Sequence, residues 1–254
     1  MFEKTTSNEQ TRRSESQKKD IDTLKEFHLN HIDKWGESWN QHSLITMQRM
    51  SISRVLYFNN LYKQIVGSPG CILEFGVQWG GALAQLTALR GIYEPYNHTR
   101  HIYGFDTFQG FVNTSEDKDG SHLNDGDYSV YDGYEKELEE ILKLHEASCP
   151  VSHIQKFSLI KGDVSVTSKQ WVNDNPHAIV AMAIFDMDIY QPTKDALEAI
   201  KPRLAKGSVI VFDELNDKYF PGETEALMEV VELNNLKLRH DAHQPSCAWA
   251  VWGE

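Results

Sequence analysis

The chain has 254 residues, 40% hydrophobic and 11% aromatic, enough core for one large α/β domain with decorations and too much for global disorder. Its 25 basic against 37 acidic residues give a formal charge of −12, which argues against a phosphate-backbone binder and against docking on an anionic membrane. No apolar run approaches the ~18 residues of a spanning helix, the N-terminus lacks the apolar core of a signal peptide, and Cys71, Cys149 and Cys247 show no metal-type spacing, which suits a reducing cytoplasm.

Residues 1–20 are polar and without periodicity, and are expected to be a mobile tail. Residues 21–69 read as an N-terminal helical cap. Its strongest stretch is 43–66, where Ile52, Val55, Phe58, Tyr62 and Ile65 recur every three or four positions. This apolar stripe suits a structural cap, a wall of a substrate pocket, or the face of a homodimer or higher homo-oligomer. Gly67, Ser68, Pro69 and Gly70 then end the helix.

The domain proper is expected over 70–254. Its first stretch, CILEFGVQWGG (71–81), is a strand ending in Glu74 that runs into Gly76, Gly80 and Gly81 as a helix begins. Glycines there let backbone approach a ligand, and the helix N-terminus leaves N–H groups free. Glu74, Gly76, Val77 and Gly80 are therefore candidate cofactor contacts, and Cys71 reads as a small buried hydrophobe. The spacing E-x-G-x-x-x-G resembles motif I of class I S-adenosylmethionine (SAM) methyltransferases. A tight βα turn of any doubly wound sheet is the bland alternative.

HIYGFDTFQGF (101–111) reads as a second strand ending in Asp106, followed by Thr107 and Phe108. A carboxylate at that strand end can accept from both ribose hydroxyls; a turn or cap role is the alternative. A lid-like insert is expected at about 112–150. It opens with the acidic 112–130, read as a solvated loop because its acids miss the calcium-loop spacing, and closes with a helix at 131–146. FSLIKGDV (157–164) gives a third strand ending at Asp163 and Val164. An acid there commonly reaches the adenine amine in methyltransferases, although Gly-Asp is also an ordinary turn.

Ile179 to Phe185 is a continuous apolar run, as in a strand buried on both faces, and it ends in Asp186-Met187-Asp188. GSVIVFDEL (207–215) repeats the form and ends in Asp213-Glu214. A helix near 222–234 and two short strands about Gln244-Pro245 complete an α/β, Rossmann-like, seven-stranded sheet, mostly parallel with a C-terminal antiparallel hairpin. Open sheets of this kind bind ligands at the carboxyl edge. Four carboxylates crowded there repel unless a cation sits among them. Oxygen donors plus water suit Mg²⁺, which can bind vicinal hydroxyls and activate one, with a carboxylate as proton acceptor. Helix caps and surface salt bridges are the alternative. His122, His145, His153 and His243 stand in no ligand spacing, and His243 is an alternative base.

Taken together, Glu74-Phe-Gly76-Val77, Gly104-Phe105-Asp106-Thr107-Phe108, Asp186-x-Asp188-x-Tyr190 and Val209-Ile210-Val211-x-Asp213 resemble the macrocin O-methyltransferase (TylF-like) family. The resemblance runs from about Gly70 to Asn216. It implies a SAM- and Mg²⁺-dependent O-methyltransferase acting on a hydroxylated small molecule, with Asp186, Asp213 and Glu214 as metal ligands and Asp186, or else Asp188, as the catalytic base. The family's usual Asp-Asp is Asp213-Glu214 here. Metal-independent N- or carboxyl methylation and a non-catalytic scaffold are the competing readings.

Overall fold

The structure is a computed structural model and describes residues 14–254. The tail expected at 1–20 lies outside the described residues up to position 13, and a helix begins within it, at Glu15. In chain order the helices are α1 (Glu15–His31), α2 (Trp39–His42), α3 (Arg49–Ile65), α4 (Gly81–Tyr93), α5 (Glu116–Asp119), α6 (Tyr134–Ala147), α7 (Val164–Asp174), α8 (Tyr190–Ile200) and α9 (Gly222–Val230). The strands are β1 (Cys71–Phe75), β2 (Ile102–Asp106), β3 (Phe157–Lys161), β4 (Val180–Phe185), β5 (Leu204–Phe212), β6 (Arg239–Asp241) and β7 (Gln244–Val251).

All seven strands join one sheet in the order β3-β2-β1-β4-β5-β7-β6. The first five run parallel, and β7 pairs antiparallel with both β5 and β6. The order reverses between β1 and β4, the switch point at which open α/β sheets leave a crevice. The apolar run read from sequence explains β4, whose six residues are all buried because helices cover both faces. One layer holds α3, α4 and α6; the other holds α7, α8 and α9.

Two expectations shift. The helix expected at 43–66 starts at Arg49, and its stripe turns: Phe58, Tyr62 and Ile65 are buried with Tyr57 and Leu61, whereas Ile52 and Val55 are more than 40% exposed. Five buried side chains at about 2 kcal/mol each, as an upper bound, fix α3 to the domain. Helix α6 is a layer of the fold packed on α4, so the segment over the cleft ends before Tyr134. The 112–130 stretch is largely exposed, Glu116, Asp117 and Asp125 included, as a solvated loop would be, and is pinned at one point. Asp119 is 1% exposed, its Oδ1 accepting the Tyr190 N–H at 2.6 Å and its Oδ2 the Ser115 N–H at 2.8 Å.

His101, just before β2, contacts Ser158 Oγ through Nε2 at 2.9 Å. Burial and nearby Arg90 push its pKa down to about 4. A histidine depressed in the folded state adds stability above its unfolded pKa and loses it as pH falls through the folded value. Its share of the stability is therefore expected to drop by about 2 kcal/mol between pH 7 and pH 5. Urea unfolding of His101→Gln beside the parent chain should show that part of the pH dependence vanish.

Candidate active site

Three strands, β1, β4 and β5, end in Phe75, Phe185 and Phe212, and β2 carries Phe105 one residue before its end. All four are 0% exposed and stand in register. Ring centroids are 4.7 Å apart for Phe75–Phe105, 5.2 Å for Phe75–Phe185 and 4.9 Å for Phe185–Phe212. This packed row is a stiff floor, and the following residues, Gly76, Asp106, Asp186 and Asp213, leave it toward one cleft of about 1570 Å³.

On the β1–β2 side, Glu74, Gly76, Val77, Asp106, Thr107, Asp163 and Val164 all line the cleft. Asp106 holds the turn it faces: its Oδ2 accepts the N–H groups of Val77 at 2.7 Å and Gln78 at 2.8 Å, and its Oδ1 that of Phe108. Asp163 caps α7 by accepting the Ser165 N–H at 2.9 Å. Gly76 has φ +90°, and a Cβ on it would lie 1.8 Å from the Asp186 carbonyl oxygen. The glycine is thus required by the approach of β1 to the end of β4, not by a ligand alone. Two sequence candidates turn away. Gly80 packs against Leu138, where a Cβ would come within 2.3 Å, and Phe108, 3% exposed, belongs to the core. Gln78, Phe108 and Asp188 hold positive φ, and such non-glycine strain gathers at functional turns.

The β4–β5 side carries the acids. Ligand atoms of Asp186, Asp188 and Glu214 lie within 4.8 Å of one another, so the three that converge differ from the expected set in one member. Asp213 lines the cleft but is engaged: Arg54 of α3 donates Nη1 to its Oδ1 and Nη2 to Asp186 Oδ2 at 3.0 Å. The Cys247 thiol also donates to Asp213 Oδ1, at 3.0 Å. Burial opposes the charge on Arg54, but Asp213 and Asp186 outweigh it and hold its pKa above the ordinary value. Burial, and then the neighbouring carboxylates, push Asp186 and Glu214 well up. Asp188 is also raised, chiefly by burial. Below the edge, Glu223 of α9 is 0% exposed. Its Oε1 accepts the N–H groups of Met187 at 3.0 Å and Asp188 at 3.3 Å, and its Oε2 that of Glu214 at 3.3 Å.

The site fits both groups that the resemblance implies. Oxygen donors pushed toward protonation suit a hard divalent cation, and Glu214 Oε2 is buried without a hydrogen-bond partner among the described residues. On the β1 side Glu74, 2% exposed, likewise has Oε2 buried and unsatisfied. Beside it the N-terminus of α4 opens at Gly81, which lines the cleft and has nothing within 4 Å of an added Cβ. A ligand with a cationic amine for Glu74 and a carboxylate for the helix N-terminus, as SAM carries, matches that cradle. Of the histidines, His122 lines the cleft, its ring packed on Tyr219 and Phe220. His243 is exposed beside Asp241 and does not line it.

Sequence reasoning missed Arg54 and Glu223. Arg54 lies four residues before Phe58 and borders the apolar stripe, so an arginine at the edge of a core-facing stripe was the available signal. Glu223 sits in the first turn of a helix that follows the Asp213-Glu214 strand end, where an acid reads simply as dipole matching.

A family model described as macrocin O-methyltransferase (TylF) matches residues 1–237. A crystal structure of CalS11, described as a calicheamicin methyltransferase, is similar at 36% identity and a TM-score of 0.89, covering 96% of this chain and 95% of that one. An apo structure of CalS11, described as a TDP-rhamnose 3'-O-methyltransferase of calicheamicin biosynthesis, is similar at 35% identity and a TM-score of 0.84, covering 96% and 97%. A Streptomyces olivaceus relative is 26% identical over 161 residues, 58% of this chain. It is described as an 8-demethyl-8-(2,3-dimethoxy-alpha-L-rhamnosyl)-tetracenomycin-C 4'-O-methyltransferase, and the match spans 54% of its length.

Proposed function

The chain belongs to the macrocin O-methyltransferase family, and from that premise we propose that it transfers the methyl group of SAM to a hydroxyl of a sugar or deoxysugar, free or carried on a nucleotide or a natural product. The observation that carries the reading is the meeting, in one cleft, of the Glu74 cradle with the acids Asp186, Asp188 and Glu214. The described names of CalS11 and the tetracenomycin relative, both acting on rhamnose hydroxyls, point to the same acceptor class.

When bound, SAM supplies an activated methyl carbon, and Mg²⁺ held by Asp186, Asp188 and Glu214 supplies a Lewis acid for the acceptor oxygen. The chain's own groups do the rest. Glu74, Val77, Asp106 and Asp163 hold and orient the nucleoside half of the cleft. Met50, His122, Tyr219 and Phe220 wall the acceptor half and keep water from the reacting oxygen. Asp186 takes the hydroxyl proton, with Asp188 the other candidate, while the packed strand ends keep the oxygen in line with the transferred carbon. Arg54 on Asp213 favours a second reading, transfer with no divalent ion, in which the guanidinium alone balances the edge.

The test is mass-spectrometric detection of methylated product and S-adenosylhomocysteine from SAM and a panel of nucleotide-linked deoxysugars, with Mg²⁺ and with EDTA. Product only with Mg²⁺ supports the first reading, and equal product in both supports the second. Unreacted acceptors across the panel, with SAM bound, would contradict sugar as the acceptor.

A further inference from the structure

The acids at the carboxyl edge divide into two groups by what they touch. Asp213 and one oxygen of Asp186 lie under the fork of Arg54, whose guanidinium carbon is 5.0 Å from the centre of the Phe58 ring. Asp188 and Glu214 have no arginine or lysine ion pair among the described residues, and they converge with Asp186. A planar guanidinium is well suited to span two carboxylates on neighbouring strands. Helix α3, which carries it, is held by the buried residues Tyr57, Phe58, Leu61, Tyr62 and Ile65. Cys247 completes the shell of Asp213, leaving that carboxylate with partners of its own.

We propose that Arg54 is the resident cation of this edge, a positioning residue that takes Asp213 out of the ligand set of a divalent ion and fixes the orientation of Asp186. The N-terminal helical region thereby becomes part of the transfer site and sets how much negative charge the edge presents. One positive charge of the protein is shared by two carboxylates, and the trio that includes Asp186 is left for an ion. The proposal rests on the reading of this edge as the transfer site and departs from the ligand set that the family resemblance implies.

The experiment is titration with MnCl₂, reading free Mn²⁺ by electron paramagnetic resonance, on the parent chain, Asp213→Asn, Arg54→Lys, Arg54→Met and Arg54→Met/Asp213→Asn. SAM binding and thermal melts check that each variant is folded. Asp213→Asn is expected to hold Mn²⁺ within about threefold of the parent, whereas Arg54→Met, which removes a nearby positive charge and frees a fourth carboxylate, should bind it about tenfold tighter. The double variant should fall back toward the parent, because the gain runs through Asp213, and Arg54→Lys should lie between. Turnover of Arg54→Met should fall with SAM affinity unchanged, a separation that a purely structural role would not give. Loss of Mn²⁺ binding in Asp213→Asn, or weaker binding in Arg54→Met, would overturn the proposal by making Asp213 a ligand. Binding in Arg54→Met but not in the parent would overturn the proposal, because the trio would then hold no ion while Arg54 is in place. Binding in neither would overturn the proposal and leave the methyl-transfer reading to the product assay.

Discussion

Asp186→Asn is expected to lower methyl transfer about a thousandfold, the scale of losing a positioned general base. Asparagine keeps the shape but cannot accept the proton, and it weakens both the pairing to Arg54 Nη2 and the three-acid cluster. SAM affinity should hold within about threefold, since the loss is confined to the transition state. Single-turnover kinetics beside calorimetric SAM titration separate the two quantities. Asp188→Asn is the comparison: a larger loss there than in Asp186→Asn would exchange the roles of the two aspartates. Transfer in Asp186→Asn within about tenfold of the parent would remove Asp186 from the chemistry altogether.

Glu223→Leu is expected to be the most damaging change that touches no ligand. One buried carboxylate accepts N–H groups from both acid-bearing turns, Met187 and Asp188 after β4 and Glu214 after β5. Leucine fills similar space and leaves two buried donors and one half-buried donor without acceptors, at a total cost of about 3–5 kcal/mol. Urea unfolding measures the loss. Glu223→Gln retains one acceptor oxygen and should lose less than Glu223→Leu. Mn²⁺ affinity should fall in parallel with stability across the two, because the same bonds hold Asp188 and Glu214 in place. Undiminished Mn²⁺ binding in a destabilised Glu223→Leu would show that the turns keep their form without it.

The fold was legible because its signals are local and repeated. Each βα unit carries an apolar run, a strand-end acid and a helix, and that order admits few sheets. The carboxyl edge was legible for the same reason: strand polarity alone brings Asp106, Asp186, Asp213 and Glu214 to one side. What sequence could not assign was the partner of each acid. Asp106 reads as a ribose acceptor or a turn residue, and the turn part is carried by the Val77 and Gln78 amides that it accepts. Asp213 reads as a ligand, yet it meets an arginine 159 residues earlier in the chain. Such pairings depend on how α3 crosses the sheet, and no periodicity in α3 encodes that. The row of Phe75, Phe105, Phe185 and Phe212 is visible in the sequence as a phenylalanine at or next to the end of four strands. Its meaning needed the register that stacks the rings.

The most direct measurement is anomalous diffraction from crystals grown with S-adenosylhomocysteine and Mn²⁺. The expected map places the nucleoside along Glu74, Asp106 and Asp163, with a manganese peak among Asp186, Asp188 and Glu214 and Arg54 still on Asp213. A nucleoside outside this cleft, or a cleft in which it blocks the approach to Asp186 and Asp188, would contradict the assignment of cofactor and acids to two halves of one transfer site.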